Sequence, residues 1–264
     1  MHQKGNMDGF QQPFDLTGRV AIVTGAAGAL GQAVSKGLAM HGANTVLCDI
    51  AEKELGPLAD EIRLMGRQAL PVLCDVTNLA SVERMVKEAL KAMDSIHILF
   101  NGAGIAHRAL LLDMDMAAWQ EVMDINVKGT LLCCRAVAEK MIRQGDGGSM
   151  ITVGSVRGYH AHEGGYSAYG TSKAAVHYIT KQLAFEWAPY NIRVNGIAPC
   201  VFRSALTEPI LRDESTYRQY TARIPLGRVA EPEDFIGPTI FLASQASAMV
   251  TAHILAVDGG TLGG

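Results

Sequence analysis

The sequence predicts one doubly wound α/β domain, a parallel sheet of seven strands with helices on both faces. Three observations carry this. Short continuous apolar runs alternate with amphipathic stretches along almost the whole chain, as expected of parallel strands covered on both faces. A glycine-rich turn follows the first apolar run in Val20-Ala-Ile-Val-Thr-Gly-Ala-Ala-Gly-Ala-Leu-Gly31. An acid, Asp49, closes the second run, Thr45-Val-Leu-Cys48.

Taken in order, the strands are expected at Val20–Val23, Thr45–Cys48, Ala69–Cys74, Ile96–Phe100, Met150–Val153, Arg193–Ile197 and Ile254–Val257. Each is short, and most are apolar and rich in branched side chains. The helices are expected at Leu30–Met40, Lys53–Leu64, Leu79–Ala92, Ala117–Lys140, Tyr166–Trp187 and Pro232–Ala243. Gly42 and Gly66 are placed to end the first two, while Asp75 and Asn78 suit the cap of the third. Residues 200–228 break the rhythm with charges and two prolines, Pro209 and Pro225, and read as a substrate lid.

A chain of 264 residues, 48% hydrophobic, is ample for one domain and short for two. Residues 1–15 read as a loose tail and 16–264 as the single domain, expected in the cytoplasm because no apolar signal core opens the chain. A formal charge of −3 leaves no electrostatic footprint for nucleic acid or an anionic membrane. No apolar run approaches the ~18 residues of a membrane span. The cysteines 48, 74, 133, 134 and 200 lack metal-ligand spacing and read as small buried hydrophobes, so no metal is expected.

The chemistry starts from the turn. Glycines 25, 28 and 31 let the backbone approach a pyrophosphate, which then lies on the positive N-terminus of the next helix. Asp49, some 20 residues on, is placed to bind the ribose hydroxyls of NAD and to repel the extra phosphate of NADP. In Ser167-Ala-Tyr-Gly-Thr-Ser-Lys173, Tyr169 and Lys173 stand four apart on one helix face. An ammonium beside a phenol favours the phenolate, so Tyr169 is expected to titrate lower than usual and to exchange a proton with an alcohol oxygen.

With these motifs in this order, the chain resembles a short-chain dehydrogenase/reductase from Leu16 to Gly260. The resemblance implies an NAD(P)-binding Rossmann domain whose catalytic set is Asn126, Ser155, Tyr169 and Lys173. Ser155 and Tyr169 would hold the substrate oxygen, Lys173 would support Tyr169 and the nicotinamide ribose, and Asn126 would order a relay water. For the cofactor it implies Gly25, Gly28, Ala29, Leu30 and Gly31 in the turn, Asp49 and Ile50 after the second strand, and Asp75-Val76 after the third. Asn101, Gly102 and Ala103 follow the fourth strand, and Pro199, Val201 and Ser204 meet the nicotinamide, joined by Tyr169 and Lys173. The chain departs from the family pattern at Ala29 and Gly102, and at Cys200 and Ser204 in the last segment.

Arg157, His162 and Arg203 are the candidate substrate contacts, with His107 and Arg108 able to reach the same crevice. Together they point to a polar alcohol or ketone. The leading expectation is an NAD-dependent dehydrogenase of a sugar, sugar acid or other polyol. A 3-oxoacyl reductase, a hydroxysteroid or aromatic-alcohol dehydrogenase and an inactive NAD-sensing protein stand as alternatives. The resemblance further implies a homotetramer joined through Ala117–Lys140 and Tyr166–Trp187, with the last strand region at a second interface. Leu131, Leu132, Val137, Val176, Ile179, Leu183 and Phe185 supply those helices with more apolar surface than the sheet requires.

Overall fold

Strands β1 (Val20–Thr24), β2 (Asn44–Asp49), β3 (Ala69–Leu73), β4 (Ile98–Asn101), β5 (Gly148–Val153), β6 (Ile192–Pro199) and β7 (Ile254–Val257) form one sheet in a computed structural model that describes residues 12–263. All pairings are parallel, in the order β3-β2-β1-β4-β5-β6-β7. Each strand lies within two residues of its predicted position at either end. The helices are α1 (Ala29–Met40), α2 (Glu52–Leu64), α3 (Leu79–Met93), α4 (Met116–Met123) and α5 (Thr130–Gln144). They continue with α6 (Ser167–Trp187), α7 (Glu208–Leu211), α8 (Glu214–Thr221) and α9 (Ile236–Ala243).

The pleat of β1 divides the core. Ala21 and Val23 face one layer with Leu38 of α1, Leu58 of α2 and Ile240 of α9. Val20 and Ile22 face the other with Met85 of α3, Val137 of α5 and Leu183 of α6. Burial of each such branched side chain is worth about 1.5–3 kcal/mol, which is why a short apolar run suffices to specify a central strand. The strand order reverses between β1 and β4, and this opens a crevice at the carboxyl ends of those two strands.

Three elements differ from their sequence reading. The helix expected over Ala117–Lys140 is interrupted: between α4 and α5 the backbone widens into a π turn over Asp124–Gly129. The last helix opens with a 3₁₀ turn, Pro232–Phe235, before α9. Residues 200–228 form a helical insertion that holds α7 and α8, and Leu211, Ile224 and Tyr217 pack on the main core. Residues 1–11 of the expected tail lie outside the described region, and its remainder is tied down. The Pro13 carbonyl accepts from the Ala246 N–H, and the Asp15 carboxylate accepts from Thr17 N and Oγ1 at 2.9 and 2.7 Å. Among the described residues no helix is long and apolar enough to cross a membrane. None of their His, Cys, Asp and Glu side chains form a group able to hold a metal ion.

Candidate active site

The turn after β1 is shaped to lie against β4. Gly25 has φ +70, and a Cβ there would come 2.7 Å from Ala103 N and Gly102 C. A Cβ on Gly31 would collide with the Gly25 carbonyl and stand 2.8 Å from Ala26 Cα. Gly28 is different: its φ is −72 and an added Cβ would make only ordinary contact. The departure at Ala29 therefore costs the turn little, because the two crowded positions are both glycine. Gln32 N makes the first intrahelical bond of α1, to Gly28 O, and no side chain caps the helix. The N–H groups of Ala29, Leu30 and Gly31 thus point out of the N-terminus toward the crevice, a fit for a pyrophosphate.

Asp49 ends β2 beside this turn. Its Oδ2 accepts from Ala27 N and its Oδ1 from Ala51 N, both at 3.0 Å. One carboxylate therefore pins the turn and keeps lone pairs for ribose hydroxyls. Ile50 is exposed beyond it, an apolar edge for a flat base. Asp75 accepts from Thr77 N and Oγ1 at 2.9 and 2.7 Å, while Val76 turns into the core. The Asn101 amide donates to Cys134 Sγ at 3.1 Å, so its side chain anchors the turn from below. A side chain at 102 would meet Phe100 Cε1 at 2.8 Å and Thr24 O at 2.7 Å, which accounts for the glycine found there.

The four predicted catalytic residues converge at the carboxyl end of β5. Tyr169 and Lys173 sit on α6, with the ammonium 5.5 Å from the phenol ring centroid. Ser155 follows β5, and its Oγ accepts from Arg157 N at 3.1 Å. Asn126 lies in the π turn, fully buried. Its Oδ1 accepts from Ile105 N and its Nδ2 donates to Ile105 O and Ser172 Oγ, each at 2.9 Å. Ser172 Oγ in turn donates to Tyr169 O at 2.7 Å. Both amide donors are committed, so the Asn126 side chain braces the 105 loop against α6.

Electrostatics correct a second expectation. Burial lifts the Tyr169 phenol above its ordinary range, and the opposing pulls come from the Ser155 hydroxyl and the Arg157 guanidinium. Lys173 Nζ donates to Val153 O at 2.8 Å instead of to the phenol, and burial pushes the ammonium down to about 8. Tyr166 is half-buried, and its phenol is pushed up to about 12, chiefly by burial and the neighbouring Tyr220.

Of the three substrate candidates only Arg157 has its charge to spare. Arg203 is bound by Glu208 at 3.2 Å and Glu231 at 3.1 Å and belongs to the scaffold of the 200–228 segment. His162 Nε2 takes a hydrogen bond from Arg223 at 2.6 Å, which ties that segment to the loop before α6. His107 is likewise paired, with Glu121 at 2.9 Å. Arg157 is half-buried and makes no ion pair among the described residues; it lies 5.2 Å from the Tyr166 ring centroid, which Arg108 also approaches, at 4.7 Å. In the last segment, Ser204 Oγ and Thr207 Oγ1 bond each other at 3.1 Å, and Cys200 is a buried thiol pushed up to about 11. Ser172 and Thr180 escaped the sequence reading, which took His177 for packing or a subunit contact; the signal was polar side chains three or four apart on a helix that had to be buried.

The sequence profile described as Enoyl-(Acyl carrier protein) reductase matches residues 25–261. The chain is a short-chain dehydrogenase/reductase. It is 36% identical over 251 residues to 2-dehydro-3-deoxy-D-gluconate 5-dehydrogenase of Dickeya dadantii, covering 94% of this chain and 97% of the relative. It is 35% identical over 252 residues to the NAD-dependent glycerol dehydrogenase of Listeria innocua, covering 96% and 97%. A gluconate 5-dehydrogenase from Burkholderia cenocepacia, solved in complex with NADP and tartrate, superposes with a TM-score of 0.91 at 34% identity, covering 96% of this chain and 98% of that one. Relatives and fold agree on an oxidoreductase with a nicotinamide cofactor.

Proposed function

We propose that this short-chain dehydrogenase/reductase uses NAD to oxidise a secondary alcohol carrying a carboxylate or several hydroxyls, a sugar acid or polyol, with Tyr169 as general acid–base. The observation that carries the substrate class is Arg157. A half-buried guanidinium without a carboxylate partner among the described residues, two residues from Ser155, favours an anionic or polyhydroxylated ligand. The Burkholderia relative's complex with tartrate, a hydroxylated dicarboxylate, agrees with that chemistry.

When bound, the nicotinamide supplies the hydride acceptor. The chain supplies the rest. Ser155 Oγ and Tyr169 Oη hold the substrate oxygen, and Tyr169 takes its proton on oxidation and returns it on reduction. Lys173 holds the nicotinamide ribose, and residues 200–228 close the pocket as a lid. Tyr166, Arg108 and Arg157 form the polar wall. Asp49 selects NAD and speaks against a 3-oxoacyl reductase working with NADPH. Five free buried thiols suit a reducing, cytoplasmic setting.

Purified protein mixed with NAD and a panel of sugar acids, polyols, steroid and aromatic alcohols tests the reading through the absorbance of the reduced cofactor. The best substrate is expected among the sugar acids and polyols, and no turnover of any alcohol would favour a sensor. Arg157→Ala is expected to raise KM for that substrate about tenfold or more, with KM for NAD little changed, since a lost charge-assisted bond costs roughly 1.5–3 kcal/mol. An unchanged KM would return Arg157 to the solvated surface. The assembly we propose is a homotetramer. Val137, Val176 and Leu183 belong to the core, but Leu131, Tyr178 and Phe185 face outward on α5 and α6 and remain for a symmetry mate. Light scattering giving a monomer mass at micromolar concentration would refute it.

A further inference from the structure

The backbone around Ser155 is folded about one imidazole. His177 is buried on α6, four residues beyond Lys173 and eight beyond Tyr169, so the three side chains lie along the same side of the helix. Its Nε2 accepts from Ser155 N at 3.3 Å. On one side of that bond a Cβ on Gly154 would collide with Nε2 and stand 2.5 Å from Cδ2. On the other, a Cβ on Gly158 would stand 2.5 Å from Cε1 and 2.8 Å from Nδ1. Neither glycine has a positive φ; the ring is what crowds Gly154, and at Gly158 the ring is joined by the Lys173 main-chain carbon at 2.9 Å. Tyr159 covers the ring with its centroid 4.5 Å away.

We infer that His177 is a positioning residue that sets the Ser155 hydroxyl against Tyr169, an inference that rests on reading Ser155 and Tyr169 as the groups that hold the substrate oxygen. The Ser155 N–H is buried and needs an acceptor. An acceptor fixed to α6 ties the serine to the helix that carries Tyr169 and Lys173. Two neighbouring bonds reinforce the tie: Lys173 Nζ to Val153 O at 2.8 Å and Thr180 Oγ1 to Thr152 Oγ1 at 2.6 Å. Only the unprotonated Nε2 can accept. Burial, with Lys173 and Lys181 close by, pushes the imidazole down to about 4 and keeps it neutral at working pH.

His177→Leu removes the acceptor, and His177→Gln restores an oxygen near the place of Nε2. For the alcohol that wild type turns over fastest, His177→Leu is expected to lower kcat about tenfold or more while NAD affinity and substrate KM stay within about threefold. His177→Gln should recover kcat to within about threefold of wild type. Gly154→Ala should lower kcat about tenfold alone and have little further effect in a His177→Ala background, where the ring is gone. Crystal structures should show Ser155 Oγ displaced by more than about 0.5 Å in His177→Leu and restored in His177→Gln. A His177→Leu enzyme with wild-type kcat, a glutamine variant no better than leucine, or additive effects at 154 and 177 would each overturn the inference. If His177→Leu does not fold, the glutamine variant and the Gly154 pair decide. If wild type oxidises no alcohol, the proposed function falls and the serine's position in the crystals alone decides the role of His177.

Discussion

Tyr169→Phe is expected to lower kcat between about a hundredfold and ten-thousandfold, the range a positioned acid–base group contributes. The substitution removes one hydroxyl and leaves the ring, which packs 6.2 Å from Tyr166 and 5.5 Å from the Lys173 ammonium. The glycine turn and Asp49 are untouched, so NAD binding by fluorescence titration and the melting temperature should both match wild type. The same hydroxyl fixes the sign of the pH dependence. Oxidation needs the phenolate and reduction the phenol. Burial holds Tyr169 above its ordinary range, so the phenol predominates near neutrality and oxidation should gain as pH rises. Lys173, pushed down to about 8, sheds its charge on the way, and the gain should flatten beyond that point. Activity of the phenylalanine variant within tenfold of wild type would remove Tyr169 from the mechanism.

The layered fold was legible because its signals are local. Each strand is a short apolar run that no solvent-facing segment could carry, and helix ends such as Asn78, which accepts from Ser81 N at 3.2 Å, are set by residues close in sequence. The candidate site was legible as far as motif spacing reaches: the glycines, Asp49, and the Tyr169–Lys173 pair. Partnerships across the fold were not. That Arg203 is spent on Glu231 and His162 on Arg223 depends on how residues 200–228 fold back, over separations of 28 and 61 residues. Helix α6 misled in another way. Ser172, Lys173, His177 and Thr180 are all buried, so its polar side faces the sheet and the loops beside it. A rule that sends polar residues to solvent has no place for a buried His177 and leaves its bond to Ser155, 22 residues away in sequence, unseen.

Wild-type enzyme is expected to prefer NAD over NADP by at least about a hundredfold in kcat/KM, and Asp49→Ser to reduce that ratio to within about tenfold. A hundredfold preference is about 2.7 kcal/mol. Two unit charges about 4 Å apart repel by about 4 kcal/mol at an effective dielectric near 20, so a carboxylate at the 2′ position is sufficient alone. The carboxylate is held at the end of β2: its two oxygens accept from Ala27 N and Ala51 N at 3.0 Å, and rotating it would break both bonds. Those bonds give the substitution a second effect. Serine is shorter and cannot hold both N–H groups, so the turn before α1 loosens and kcat/KM for NAD should fall as that for NADP rises. Binding constants for both cofactors separate the two effects, since loss of the Ala27 bond weakens both while loss of charge favours NADP alone. The Burkholderia relative was solved with NADP, so the family's fold alone does not settle the choice. Equal kcat/KM for the two cofactors in the wild type, or an unchanged ratio in Asp49→Ser, would show that the carboxylate pins the turn and selects nothing.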